Sequence, residues 1–394
     1  MRSESEIIRN YIDMLSNPHL LMEARALESY SIEDLRAEYA RMDKNFQSTG
    51  GSASIALAGF EMDVLAPFNS TEICNQIKHV TGRQCNYSQT HGGNRQAYKS
   101  YTVDYENYIN QNTQKAPNVV GYEVVTPTLP FDELMQDYTK LRSWMRRTKC
   151  YTNYLCGLHM NISLQKYVSK TDANTGEMQE TTIKNLNMFK FLLLSGDENI
   201  AREYGRQANG ATPSLLNVAR NEILNNPSKK AEALEKLEKD LLTAVDKMFF
   251  GTNTLGPMTG QYRKSIVAKP NIHNIKYLEC RSPGYMYLDK SVEDIERTLL
   301  TYIVALYASC HANEYRKIFK ERLRIFIETA ASTRRANSPS AAYSSSPSTQ
   351  RSSDPFSVPE VSNKMDQGII DCLVSMMCGE MNSMQAGIKL DHII

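Results

Sequence analysis

Four short stretches plant ligating or charged side chains inside runs that otherwise read as buried strands. In IALAGFEMDVLAP, Glu61 and Asp63 are two residues apart, so in a strand both carboxylates leave the same face. Two adjacent acids repel unless a positive charge lies between them, and a hard divalent cation such as Mg²⁺ or Mn²⁺ provides one through carboxylate oxygen. A solvated acidic strand face is the competing reading. In VVGYEVVTPTL, Glu123 is the one charge of an apolar run, and its burial calls for a metal or a core salt bridge. NYLCGLHMNIS sets His159 and Asn161 on one face, with Gly157 permitting close backbone approach; a satisfied core histidine and a ligand are both open. In IKYLECRSPGY, Glu279 and Arg281 share a face. They are either an intrastrand ion pair or a metal-binding carboxylate beside a guanidinium that forks onto phosphate oxygen.

The elements that must carry these residues follow from periodicity. Strands are expected at Ile55–Leu65, Val119–Thr126, Tyr154–Leu164, Arg263–Ala268 and Asn274–Arg281, and a helix at Phe131–Arg147. Ser31 is a plausible N-cap for IEDLRAEYARM, Ser70 for TEICNQIKHV, and Ser291 with Asp294 opens one long helix or two in series to about Ala330. Residues 83–118 read as loop with one or two short strands. Helical spacing recurs over 182–195, 198–208, 213–225 and 228–250. From Ala336 to Asn363, fourteen of 28 residues are Ser or Pro, too little apolar surface to offset ordering entropy, so a flexible linker is expected. The resulting division is an N-terminal helical segment (1–48), a catalytic domain (49–332), a linker (333–364) and a Met-rich helix and tail (365–394).

With 45 Lys+Arg against 44 Asp+Glu, the chain lacks the strongly basic balance of a protein held to nucleic acid by its overall field. No run reaches the roughly twenty apolar residues of a membrane span. The opening MRSESEIIRN has no apolar leader, so a soluble, cytoplasmic protein is expected. Eight cysteines without a CxxC read as reduced thiols, and no HExxH or HxxxH pair suggests a histidine metalloprotease. Arg316, Lys317, Lys320, Arg322 and Arg324 form either a solvated helix face or a contact for an acidic substrate. The Met-rich tail reads as a docking helix that could join subunits in a homo-oligomer.

In order, GFEMD, GYEVVTPTL, CGLHMNI and YLECRSPG resemble the motif series of the amidoligase family, within the glutamine synthetase-like carboxylate–amine ligases. The resemblance covers roughly residues 52–310. It implies an α+β fold, a curved, mainly antiparallel sheet with helices on its convex side. It also implies ATP- and Mg²⁺- (or Mn²⁺-) dependent joining of a carboxylate to an amine through an acyl phosphate. By motif, Glu61, His159 and Glu279 would hold the metal nearest the β/γ-phosphates, and Asp63 and Glu123 the metal nearer the acceptor carboxylate. Arg281 would face the transferred phosphoryl group. Arg263 and Arg206 are candidates for further phosphate or substrate contacts, with solvated surface arginines the alternative. Asp63 stands where Glu is usual and Asn161 where many relatives have a second His. Val103-Asp104 is a thin counterpart of a V-x-D segment, and DYENY lacks the Gly-Ser pair expected after it. A γ-glutamyl-type small-peptide ligase and a binding protein that keeps the fold without turnover are the alternatives.

Overall fold

Period-two alternation in ALAGFEMDVLA makes the central strand of the molecule, with every apolar residue of one phase on one side and both acids on the other. The computed structural model describes residues 30–49, 54–88, 100–112, 118–164, 185–206, 265–271, 274–333 and 367–382, with Leu27, Ile183, Leu216 and Gln385 besides. The chain divides into two compact units, Met1–Leu215 with Phe249–Tyr315, and Leu216–Met248 with Arg316–Ile394.

The first unit is α+β. Its elements are α1 (Ile32–Ser48), β1 (Ala56–Ala66), α2 (Ser70–Thr81), β2 (Cys85–Ser88), β3 (Tyr101–Tyr105), α3 (Asn107–Asn112), β4 (Val120–Val125), β5 (Leu129–Pro130), α4 (Phe131–Arg147), β6 (Leu158–Leu164), α5 (Met188–Ser195), α6 (Asp197–Glu203), β7 (Ile266–Asn271), β8 (Asn274–Cys280) and α7 (Val292–Cys310). Eight described strands form one sheet in the order β2-β3-β4-β1-β6-β8-β7, with β5 beside β1. Every pairing is antiparallel except β2 with β3.

One face of this sheet is the core. Register places Phe60 beside Met160 and Met160 beside Cys280, Met62 beside Leu158 and Val124, and Val64 beside Tyr122. All seven of these apart from the tyrosine edge are inaccessible to solvent, and Tyr122 is nearly so. Helix α4 covers them, its Tyr138 ring meeting Phe60 edge-on at 5.2 Å. Helix α7 packs on β6, on α1 and on α5, where Phe191 stacks on Tyr302. Arg36 of α1 forks onto Glu296 of α7 through two 2.7 Å bonds, a bidentate geometry that fixes orientation as well as distance.

Helix starts follow local chemistry. Ser31 and Ser291 cap α1 and α7 in reciprocal capping boxes with Asp34 and Asp294. The cap of α2 is Asn69, not Ser70: Asn69 Oδ1 accepts from the Thr71 and Glu72 amides, Glu72 returns to the Asn69 amide, and Ser70 becomes the first helical residue. Lys190, buried on α5, donates to the carbonyls of His311, Ala312 and Glu314 just beyond α7, which closes that helix end with a cation.

The second unit holds α8 (Arg316–Thr333) and α9 (Gln367–Met377), so the long helical stretch is two helices that fall in different units. The basic cluster of α8 is partly paired within that unit: Arg316 and Lys320 reach Glu380, and Arg324 meets Asp371 at 3.0 Å. The expected helices at 213–225 and 228–250 and the Ser/Pro linker lie outside the described residues, apart from Leu216. Among the described residues no helix is long and apolar enough to cross a membrane.

Candidate metal and phosphate site

The opposite face of the same sheet is lined with acids. Register puts Asp104 of β3 beside Glu123 of β4, Glu123 beside Asp63 of β1, Glu61 beside His159 of β6, and Asn161 beside Glu279 of β8. Paired residues in an antiparallel ladder share a face, so five strands present one continuous polar row. The row is largely shut off from water: Asp104 is 0%, Glu123 3%, Glu279 3%, Glu61 6% and His159 7% exposed.

Ligand atoms of Glu61, Glu123 and His159 all lie within 4.8 Å of one another. Opposite corners of a Mg²⁺ octahedron are about 4.2 Å apart, so the three need little adjustment to share one ion. His159 Nδ1 is 3.4 Å from Glu61 Oε2 and 3.3 Å from Glu279 Oε1, while its Nε2 is buried without a hydrogen-bond partner. Burial first, and then the Arg281 charge, hold His159 below its ordinary pKa, which keeps the imidazole neutral and able to ligate. Asn161 Nδ2 donates to Glu61 Oε1 at 3.0 Å and so orients that carboxylate. Two carboxylates and a neutral imidazole suit Mg²⁺ or Mn²⁺, and the residues present fit such an ion.

Asp63 sits one step along. Its Oδ2 accepts the Gly157 amide at 2.9 Å, and burial, with the charges of Glu106 and Glu61, pushes its carboxyl up to about 7 against the lowering effects of Arg206 and that hydrogen bond. Glu123, the register partner of Asp63, is also within reach of Glu61 and His159. At the other end, Arg281 Nε lies 3.2 Å from Glu279 Oε1 and its side chain keeps 26% exposure, leaving it open at the rim. Arg206 is not a solvated arginine; it is buried, with Nη1 donating to Cys156 O at 3.0 Å. Arg263 lies outside the described residues.

Two motif glycines bound the site for steric reasons. A Cβ on Gly59 would come 3.2 Å from Thr126 Oγ1, whose hydroxyl accepts the Phe60 amide at 2.8 Å where the chain leaves β4. A Cβ on Gly157 would press on the Arg206 guanidinium at 3.0 Å. Thus the Gly of GFEMD answers to the Thr-Pro of GYEVVTP, and the Gly of CGLHMNI to an arginine nearly fifty residues later.

Sequence reasoning gave little weight to Asp104 and none to Glu106. Asp104 is the register partner of Glu123 and fully buried, and Glu106, two residues on, acts electrostatically on Asp63. Their i,i+2 spacing in TVDYENY is the signal that marks Glu61 and Asp63, hidden here in polar, aromatic sequence.

A comparison with curated proteins finds no match. Residues 56–176, which carry β1, β3, β4, β6 and the first three motifs but not Glu279 or Arg281, match the family described as "Putative amidoligase enzyme", and the activity that this match suggests is that of a ligase.

Proposed function

We propose that the protein is an ATP-dependent carboxylate–amine ligase that forms an amide or isopeptide bond through an acyl phosphate, on a glutamine synthetase-like sheet. The observation that carries this is the meeting of Glu61, Glu123 and His159 on one buried face, with Glu279 and Arg281 beside them, in a chain that matches an amidoligase family. A divalent ion held by Glu61, Glu123 and His159 would neutralise charge on the phosphate oxygens of ATP. Arg281, anchored by Glu279 and open at the rim, is suited to fork onto the phosphoryl group in transfer. Asn161 holds Glu61 in place. The low exposure of the acidic row excludes bulk water, which protects an activated carboxylate from hydrolysis. Phosphoryl transfer to the carboxylate oxygen makes phosphate the leaving group, and attack by the amine nitrogen then forms the C–N bond and releases phosphate.

The test is ADP release in pooled carboxylates and amines with Mg²⁺ or Mn²⁺, with mass spectrometry for a product equal to acid plus amine minus water. Turnover that needs both substrates supports the ligase; a glutamate–amino acid product would specify a γ-glutamyl-type peptide ligase. Nucleotide and metal binding without turnover in any pool would make the protein a binding module on this fold.

A further inference from the structure

Arg206 occupies a place that no phosphate-binding role explains. Two backbone segments distant in sequence close on it. The turn before β6 supplies the Cys156 carbonyl, which accepts from Nη1 at 3.0 Å, and Gly157, whose missing Cβ lets the guanidinium lie against the chain with Nη1, Nη2 and Cζ at 3.0, 3.1 and 3.2 Å from that position. The segment after β8 supplies Gly284, where a Cβ would stand 2.6 Å from Tyr204 O and 3.1 Å from Arg206 N and Cβ. Gly157 and Gly284 form an antiparallel bridge, extended by Leu158 N donating to Pro283 O at 3.2 Å. Either side chain larger than hydrogen would lift the arginine away.

The clamped peptide is the one that holds Asp63. Gly157 N donates to Asp63 Oδ2 at 2.9 Å, and Asp63 N donates to Gly157 O at 3.0 Å. Tyr287, in the turn that follows Gly284, donates its hydroxyl to Asp63 O at 2.8 Å. The buried arginine also sets its positive charge against the Asp63 carboxylate, which Glu61 and Glu106 crowd from other directions. Position and charge at Asp63 thus both trace to Arg206, and Asp63 is two residues from Glu61 on the same strand face.

We infer that Arg206 is the positioning residue of the acidic site: it clamps the Gly157 peptide onto Asp63 and balances that carboxylate, so divalent-cation affinity depends on an arginine that touches neither ion nor substrate. The inference rests on the metal-binding part of the proposed function. Arg142 is the natural control, since it too donates to backbone carbonyls, those of Leu288 and Lys290, but on the helix α4 that covers the opposite face.

The experiment is Mn²⁺ titration of the full chain by electron paramagnetic resonance, with thermal melting of each variant alongside. Arg206→Met is expected to weaken Mn²⁺ roughly tenfold or more, as loss of a ligand-supporting partner does, with Arg206→Lys recovering part of it. Gly157→Ala is expected to weaken binding similarly, and the double variant Arg206→Met/Gly157→Ala no further than the worse single, because the two changes break one contact. Arg142→Met should lower the melting temperature and leave Mn²⁺ affinity alone. Wild-type affinity in Arg206→Met, additive losses in the double variant, or equal losses in Arg142→Met would each overturn the assignment. A wild type that binds no Mn²⁺ would instead overturn the ligase reading itself, and this inference with it.

Discussion

Along β1, Phe60, Met62 and Val64 point one way and Glu61 and Asp63 the other, and the two faces obey opposite rules. The apolar face is covered by α4 and α7 and pairs hydrophobic residues strand by strand, so each contact favours folding. The polar face carries a row of buried carboxyls, and at Asp63 desolvation and the charges of Glu106 and Glu61 oppose ionisation. The first face holds the sheet together, and the second is tolerated because of it. That row is the feature on which the proposed divalent-cation site rests.

The largest effect is expected on the polar side. Glu61→Ala should lower Mn²⁺ affinity by more than about a hundredfold, beyond the range seen for supporting residues, while the circular dichroism spectrum stays that of the wild type. An unchanged affinity would dissolve the distinction between the faces. On the apolar side, Phe60→Ala should cost about 3–5 kcal/mol in urea unfolding, through lost burial and the cavity left against Tyr138. A cost under about 1 kcal/mol would show that this face is not the core.

A pH series sharpens the contrast. The folded-state pKa of Asp63, about 7, lies above its ordinary 3.8, so the folded protein binds more protons than the unfolded chain between those values. Metal-free stability attributable to Asp63 is therefore present at low pH and is lost as pH rises toward 7. His159 acts in the opposite sense, since its lowered value favours the folded state as pH rises through the usual histidine range. Asp63→Asn should remove the falling component and leave the rising one, read as the difference between the two stability–pH curves. Parallel curves would refute the assignment. The smallest effect expected is for Thr126→Ala, which leaves the Phe60 amide without its acceptor: about 1–2 kcal/mol in the same unfolding assay, largely restored by Thr126→Ser.

How much of this was legible in the sequence varied with the distance over which the cause acts. Glu61 and Asp63, or His159 and Asn161, share a face by period two alone, and the α4 boundaries, Phe131 to Arg147, fall where the apolar spacing starts and stops. Cap chemistry placed Ser31 and Ser291, but at α2 two neighbouring polar residues competed, and Asn69 prevailed because its short amide accepts from two amides at once. The grouping of Glu123 with Glu61 and His159 depends on strand order and register, which local pattern does not determine. Arg206 was equally hidden: nothing near it in sequence shows that Gly157 and Gly284 leave room for its guanidinium. Asp104 and Glu106 carried a readable spacing but sat in a segment without the apolar run that makes a strand easy to recognise.

In the proposed function the polar face binds nucleotide and divalent cation together. Calorimetry with a nonhydrolysable ATP analogue and Mg²⁺ or Mn²⁺, on the wild type and on Glu279→Ala, tests it directly. Metal-dependent nucleotide binding is expected of the wild type and its loss in Glu279→Ala, where both the His159 contact and the anchor of Arg281 are gone. A wild type that binds no nucleotide with either metal, or a variant that binds as tightly as the wild type, would contradict it.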